Sequence, residues 1–314
     1  MKTLRIGTRG SELALAQTRL TIEALQRVCP EISCEIITIT TAGDQRTDIP
    51  LHCVNAATNT ADKGVFIAAI EEALAAGEID CAVHSLKDMP GVLDPRFELA
   101  AVLPREEVND ALVMKAGADW AAPVIATGSV RRAHLVQTYW QGKATTVPVR
   151  GNVATRLRKL AENPEWSATL LARAGLNRLG YDRHHLCVQG VDMVIENLPI
   201  DEFPPALGQG AVAIETRRDD VETTALLSRI DDEPTRRCIA CEREFLNLLK
   251  ADCSVPVGGN AWCDTAAGLM HFLVVYYTPT GRIIKLQQSA APAETTPEEL
   301  ASQAHAELLR QLSV

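Results

Sequence analysis

Aromatic side chains are scarce in this 314-residue chain: 5 Phe, 4 Tyr and 4 Trp make up 4% of it. A platform for stacking nucleobases is therefore excluded. An excess of positive charge is missing too, since 31 Lys and Arg face 40 Asp and Glu, a net charge of −9. Broad neutralisation of phosphates, the main source of nucleic-acid affinity, is excluded with it. No apolar run approaches the length of a membrane span. The opening MKTLRIGTRG lacks the apolar segment of a signal peptide. The expectation is a cytoplasmic protein with no membrane and no nucleic-acid partner. Nine cysteines are scattered and odd in number, which reads as reduced thiols. Cys238 and Cys241 form a C-x-x-C with no second pair, inside a helical pattern, so no metal site is expected. No Gly-Lys-Ser/Thr follows Gly208-Gln209-Gly210, so that turn is not a P-loop.

What is present is a 46% apolar chain long enough for two or three domains. Its organising stretch runs from Val124 to Leu160. Two short β-branched runs, Val124–Ile125 and Val147–Val149, each end in a polar, Gly-containing turn that opens a helical pattern. Arg131, Arg132, Arg150, Arg156 and Arg158 fall just past those turns. Ligands of open α/β sheets bind at the carboxyl ends of strands, where helix N-termini offer free N–H groups. Guanidinium forks there make a cradle for a small polyanion. Arg158 and Lys159 read instead as a solvated helix face. For the others, a structural ion pair is the plain alternative.

In chain order, Leu4–Gly7 reads as a strand, and Ser11 as the N-cap of a helix with Leu13, Ala16, Leu20, Ala24 and Val28 on one face. Arg9 sits at that junction, as ligand contact or ion pair. Glu35–Thr40 is a strand, and residues 41–62 form a polar loop. Lys63-Gly64 opens a helix that Gly77 stops. Ile79–His84 is a compact strand ending in Ser85-Leu86-Lys87-Asp88-Met89-Pro90. A carboxylate there can exchange a proton with a ligand or stabilise a cation; the alternative for Asp88 is an Asx-type turn. Alternation points His84 away from Ser85, into the core. Strands at Phe97–Leu103, Ala111–Met114, Val124–Thr127, Thr145–Val149, Thr169–Ala172 and Val212–Glu215 continue the rhythm. Leu103-Pro104-Arg105 and Pro199–Pro205 are the two crossings between α/β halves. From Pro234 the pattern changes to a helix, a Pro- and Gly-rich loop at Lys250–Gly259 containing Cys253, a hairpin at Leu269–Tyr277 and Ile283–Gln288, and a last helix opened by Thr296-Pro297-Glu298-Glu299.

Eight motifs in order, TRGSELAL (8–15), KGVF (63–66), AVHSLKDMP (82–90), TGSVRR (127–132), RGNVATRL (150–157), AGLNRLG (174–180), PALGQGAVAIE (205–215) and CSVPVG (253–258), resemble the porphobilinogen deaminase (hydroxymethylbilane synthase) family of tetrapyrrole (porphyrin, heme) biosynthesis. The resemblance implies a monomeric transferase. It joins four porphobilinogen molecules head to tail, with loss of four ammonia molecules, to a linear hydroxymethylbilane. The growing polypyrrole chain is primed by a dipyrromethane cofactor held through a thioether to Cys253. The family's catalytic aspartate, which steers ammonia loss and stabilises the cationic azafulvene, corresponds to Asp88. Lys87, Ser85, Thr127, Ser129, Arg131, Arg132 and Arg150 correspond to cofactor-binding positions. Arg9, Ser11, Lys63, Arg156, Arg178 and Gln209 correspond to substrate-binding positions. The expected fold class is α/β: two hinged, doubly wound domains resembling type II periplasmic-binding-protein halves, plus a small α+β C-terminal domain. Residues 1–103 plus 201–228 form the first domain with the Asp88 loop, 104–200 the second with the arginine cradle, and 229–314 the third with the Cys253 loop.

The chain departs from the family pattern at four places. Gly128 stands where the family usually has Ser, Ala251-Asp252 where it has Gly-Gly, and Ala68 where it has Lys. A second common Lys, ahead of Lys63, has no clear counterpart. Asp252 places a negative charge beside the thiol, which disfavours thiolate. The changes at Ala251, Asp252 and Ala68 suggest a diverged inactive homologue as one alternative, and the two hinged α/β halves also describe an anion-binding module.

Overall fold

The computed structural model describes residues 3–41, 67–250, 255–278 and 281–313. Lys63, Cys253, most of the polar loop at 41–62 and the turn at 279–280 lie outside them. Three sheets organise the described residues. The first has the order β2-β1-β3-β11-β4, built from β1 (Leu4–Arg9), β2 (Cys34–Ile39), β3 (Cys81–Ser85), β4 (Phe97–Val102) and β11 (Val212–Arg217). β1 is parallel to β2 and β3, whereas β11 runs antiparallel between β3 and β4.

The second sheet has the order β7-β6-β8-β5-β10-β9. Its strands are β5 (Asp110–Lys115), β6 (Val124–Ala126), β7 (Thr145–Val147), β8 (Ala168–Ala172), β9 (His185–Val188) and β10 (Val191–Asn197). The chain enters it between β4 and β5 and returns between β10 and β11. The third sheet is an antiparallel meander, β12 (Val257–Asp264), β13 (Leu269–Tyr277) and β14 (Ile283–Ala290).

Each of the first two sheets is covered on both faces. On the first, α1 (Glu12–Val28) and α6 (Val221–Leu227) enclose one core with Leu4, Ile6, Leu25, Val83 and Ile214. Helix α2 (Ala68–Ala75) closes the other with Ile70, Leu74, Ile79 and Phe97. On the second, α3 (Val130–Tyr139) covers one face, and α4 (Val153–Glu162) with α5 (Arg173–Arg178) the other. Two-sided burial explains why strands such as Cys81–Val83 read as continuous apolar runs. The expected α/β class with a small third unit is what the structure has.

The third sheet is buried on both faces as well. Met270, Phe272 and Val274 meet α7 (Glu233–Leu249) and α8 (Pro297–Leu312), while Leu273, Val275 and Tyr277 meet Leu135 and Val136 of α3. The capping box expected at Thr296 is present, with Pro297 in the first turn. Glu242 of α7 is fully buried and ties this unit to both crossings. Its carboxylate accepts from both terminal nitrogens of Arg105 (2.6 and 3.0 Å) and from the backbone N–H groups of Gly208 (2.5 Å) and Ala261 (2.7 Å).

Three expectations need correction. The buried side of α1 is Gln17, Thr18, Thr21 and Leu25; of the expected face Leu13, Ala16, Leu20, Ala24 and Val28, Ala24 and Val28 pack against this core, whereas Leu20 is exposed. The threonines satisfy their hydroxyls on carbonyls one turn back, and Gln17 is paired with Ser85, so the polar side buries without unpaired groups. The hairpin β9–β10 was missed, because His185–Asn197 carries no strict alternation. Val257–Gly259 begins β12 rather than ending a loop. Gly258 is there for close approach: a Cβ would lie 2.9 Å from the Pro204 carbonyl, against which the strand is laid.

Candidate functional site

The site lies where the carboxyl end of β3 meets the N-terminus of α3. β3 ends at Ser85, whose hydroxyl is paired with the Gln17 carboxamide at 2.8 and 3.1 Å. A single 3₁₀ turn, Leu86–Asp88, then projects Lys87 and Asp88, and Pro90 prevents it from growing into a helix. Lys87 Nζ donates to Gln209 Oε1 at 3.3 Å. Burial pushes the Lys87 ammonium down to about 8; Arg132 and Arg131 act in the same direction, against Asp88 and Asp110. Asp88 is half-buried, and no described residue hydrogen-bonds its carboxylate. It therefore does not cap the turn.

From the second sheet, Ser129 caps α3, its hydroxyl accepting from Arg132 N at 3.4 Å, and Thr127 Oγ1 accepts from Ser129 N at 3.2 Å. The twin arginines are both buried. Arg131 donates to Asp110 Oδ2 (2.8 Å) and to the Pro204 carbonyl (2.5 Å). Arg132 donates to Asp110 Oδ1 (2.7 Å) and to the Leu170 carbonyl (2.9 Å), while its Nε is buried with no partner. Gln209, fully buried, donates to the same Asp110 oxygen at 2.9 Å and to the Val108 carbonyl at 2.7 Å. Burial alone would raise the Asp110 carboxyl, but the two guanidinium groups and Gln209 hold it well below the usual carboxylate range.

Asn152 caps α4 and so fixes its first turn, from which Arg156 donates to the Gly151 carbonyl at 2.8 Å. Burial pushes the Arg156 guanidinium down to about 10; Arg132 and Arg150 add to this and Asp88 opposes it. Five cations (Lys87, Arg131, Arg132, Arg150, Arg156) thus act on one another, and among the described residues the carboxylates of Asp88 and Asp110 oppose them. Arg178 is spread along the return crossing, donating to the Gly210 carbonyl at 2.6 Å, and burial pushes it down to about 10. Arg9 ends β1, and Ser11 caps α1 by accepting from Ala14 N at 3.3 Å. Arg158 pairs with Glu162 on the surface, as expected. His84 is buried against Glu215 at 3.2 Å and belongs to the core. Sequence reasoning missed Asp110 and Gln17. The available signal for Asp110 was a lone acid opening the apolar run Asp110–Met114, a position too costly to bury unless paired.

Fold and site together define a class: α/β proteins in which strand ends of two sheets bring a cluster of buried and half-buried cations to a carboxylate that no described residue hydrogen-bonds. The chain belongs to the porphobilinogen deaminase family. A family model described as "Porphobilinogen deaminase, dipyromethane cofactor binding domain" matches residues 4–225. The porphobilinogen deaminase of Nitrobacter hamburgensis is 44% identical over 283 residues, covering 88% of this chain and 83% of the relative. That of Roseiflexus castenholzii is 37% identical over 311 residues, 98% and 96% of the two chains. Among solved structures, the periplasmic aliphatic sulphonate binding protein SsuA from Escherichia coli aligns with 80% of this chain and 70% of its own, at TM-score 0.36 and 11% identity. That likeness is too slight to carry an argument.

Proposed function

We propose that this chain is a working hydroxymethylbilane synthase, condensing four porphobilinogen molecules head to tail with release of four ammonia molecules. The observation that carries the reading is the gathering of buried and half-buried cations around Asp88. Each pyrrole brings an acetate and a propionate, so substrate and growing chain are polyanions. A focused positive cleft is what an acidic protein needs to hold them. The buried, unpartnered Nε of Arg132 and the incompletely compensated Lys87 and Arg156 fit a carboxylate-bearing group. Dipyrromethane is such a group, and when bound it supplies the primer onto which the units are added; we assign its thioether to Cys253.

In this reading Lys87, Arg132 and Arg150 hold the primer and chain carboxylates, and Arg9, Lys63, Arg156 and Arg178 those of the incoming substrate. Ser85, Thr127 and Ser129 line the primer side, and Ser11 and Gln209 the substrate side. Arg131 acts through Asp110, fixing the direction of Arg132. Asp88 faces the substrate methylene, where positive charge develops as ammonia departs, and it offsets the surrounding cations. The three domains are residues 1–103 plus 201–228, 104–200 and 229–314, a division supported by one sheet lying in each. No described helix is long and apolar enough to cross a membrane. We place the protein in the cytoplasm, as a monomer without a nucleic-acid partner.

Two measurements test this. Intact mass of the purified protein should exceed the chain mass by two condensed pyrrole units. Asp88→Asn keeps size and one acceptor but loses the charge, so it should still bind porphobilinogen while kcat falls by about 100-fold or more, the size of a lost transition-state electrostatic contact. A chain without excess mass that releases no ammonia from porphobilinogen would establish the inactive-homologue alternative. Near-normal kcat in Asp88→Asn would remove Asp88 from the chemistry.

A further inference from the structure

Two sulfur atoms that the reaction does not use face one another in the third unit. Cys238 lies near the start of α7 and Cys263 near the end of β12, with their Sγ atoms 3.9 Å apart. Strand alternation puts Cys263 on the same face of β12 as Val257 and Ala261, toward α7, while Trp262 faces the other core. Cys238 is buried and Cys263 partly exposed, so one thiol is reachable from solvent and the other waits behind it. Burial pushes the Cys238 thiol well above its usual range, which keeps it inert until a sulfur partner is activated beside it. Cys241, one helical turn on, is buried, and its thiol is pushed up by burial, with Glu242 and Cys238 acting in the same direction.

We propose that Cys238 and Cys263 are an oxidisable pair that closes to an intramolecular disulfide when the protein meets a peroxide. The Cys263 thiolate attacks the O–O bond of hydrogen peroxide, forming an S–O bond and releasing hydroxide, which leaves as water after taking a proton. The Cys238 sulfur then attacks the Cys263 sulfenic acid. The S–S bond forms, the S–O bond breaks, and the departing hydroxide takes the Cys238 proton as a second water. Two thiols lose two electrons and two protons, and one peroxide becomes two waters. The sulfurs must close from 3.9 Å to about 2.05 Å, within reach of side-chain rotation on the packed α7–β12 pair. The bond closes the loop of chain from Cys238 to Cys263, which contains Cys253. It restricts the unfolded chain and stabilises the fold. Neither sulfur is hydrogen-bonded to a residue of the Asp88 cluster, so kcat is expected to stay unchanged.

The test treats the holoenzyme with hydrogen peroxide, alkylates remaining thiols with iodoacetamide in urea, and maps the digest by fragmentation mass spectrometry. Exposed Cys187 reports that the oxidant acted. Expected are a peptide pair joined at Cys238 and Cys263 and lacking two hydrogens, a thermal midpoint raised by several degrees and restored by dithiothreitol, and unchanged kcat. Cys241→Ala should still form the link, and Cys263→Ser should lose both link and midpoint rise. Oxidation of Cys187 with Cys238 fully alkylated, Cys263 ending as sulfinic or sulfonic acid, or a link from Cys238 to Cys241 would each overturn the proposal.

Discussion

At the residue scale, arginines that look equivalent in the sequence have different duties. Arg131 is committed to Asp110 and to the Pro204 carbonyl, which leaves its guanidinium as a strut between the second sheet and the return crossing. Arg131→Leu should therefore cost about 3–5 kcal/mol in denaturant unfolding, the range for breaking a buried ion pair. Arg156 hydrogen-bonds the Gly151 carbonyl and feels Asp88 only through space, and burial already penalises its charge. Arg156→Leu should leave the midpoint unchanged or raise it while elongation is lost; equal destabilisation by the two variants would refute the distinction. Lys87 gives a pH signature. Its charged form is disfavoured in the fold, so its penalty on stability is fully present below about pH 8 and is relieved as pH rises toward the unfolded value. For function the sign is opposite. The primer carboxylates that Lys87 holds favour its ammonium, so kcat/KM for the anionic substrate should fall along an alkaline limb at or above about pH 8. Lys87→Arg should move the limb upward, and an unmoved limb would assign it to another group.

At the scale of elements, the turn between β6 and α3 accounts for a departure from the family pattern. A Cβ on Gly128 would stand 2.5 Å from the Val149 carbonyl oxygen, a backbone atom that cannot swing away. Restoring the family's serine should push the turn and β7 apart. Gly128→Ser is expected to cost about 1–3 kcal/mol, as overpacking does, visible as a lower thermal midpoint. The hydroxyl lost at this position is not needed to cap α3, because Ser129 does so. Helix α1 makes a related point. Its first turn and cap are local and legible, but which side faces the sheet depends on Gln17 reaching Ser85, a partner 68 residues away.

At the scale of the whole molecule, the third sheet is wedged against both crossings, with Glu242 as the common partner of Arg105, Gly208 and Ala261. Glu242→Gln keeps the shape but leaves Arg105 buried beside a neutral group. The expected loss is about 3–5 kcal/mol. Calorimetry should show the third unit melting ahead of the rest, and a single unshifted transition would show that the wedge is not held there. The same crossing carries Gln209, which joins Lys87 from the first sheet to Asp110 in the second. The site is therefore assembled by the return of the chain, not by either sheet alone.

The sequence by itself determined what depends on neighbours along the chain. The strand–turn–helix junctions, the caps Ser11 and Thr296, and the cluster of basic residues past strand ends all follow from local geometry and side-chain type. Only the tertiary structure decided how those residues divide the work. Whether an arginine meets a ligand or a carboxylate is set by the dielectric around it and by partners far away in the chain. Asp110 is the clearest case: it reads as the first residue of an apolar strand, and becomes the acceptor for Arg131, Arg132 and Gln209 when two crossings bring them to one buried point. Glycines at the start of β12 behaved likewise. Locally they signal a turn, and in the strand they are needed because a side chain on Gly258 would meet the Pro204–Pro205 backbone and one on Gly259 the Leu273 carbonyl of β13.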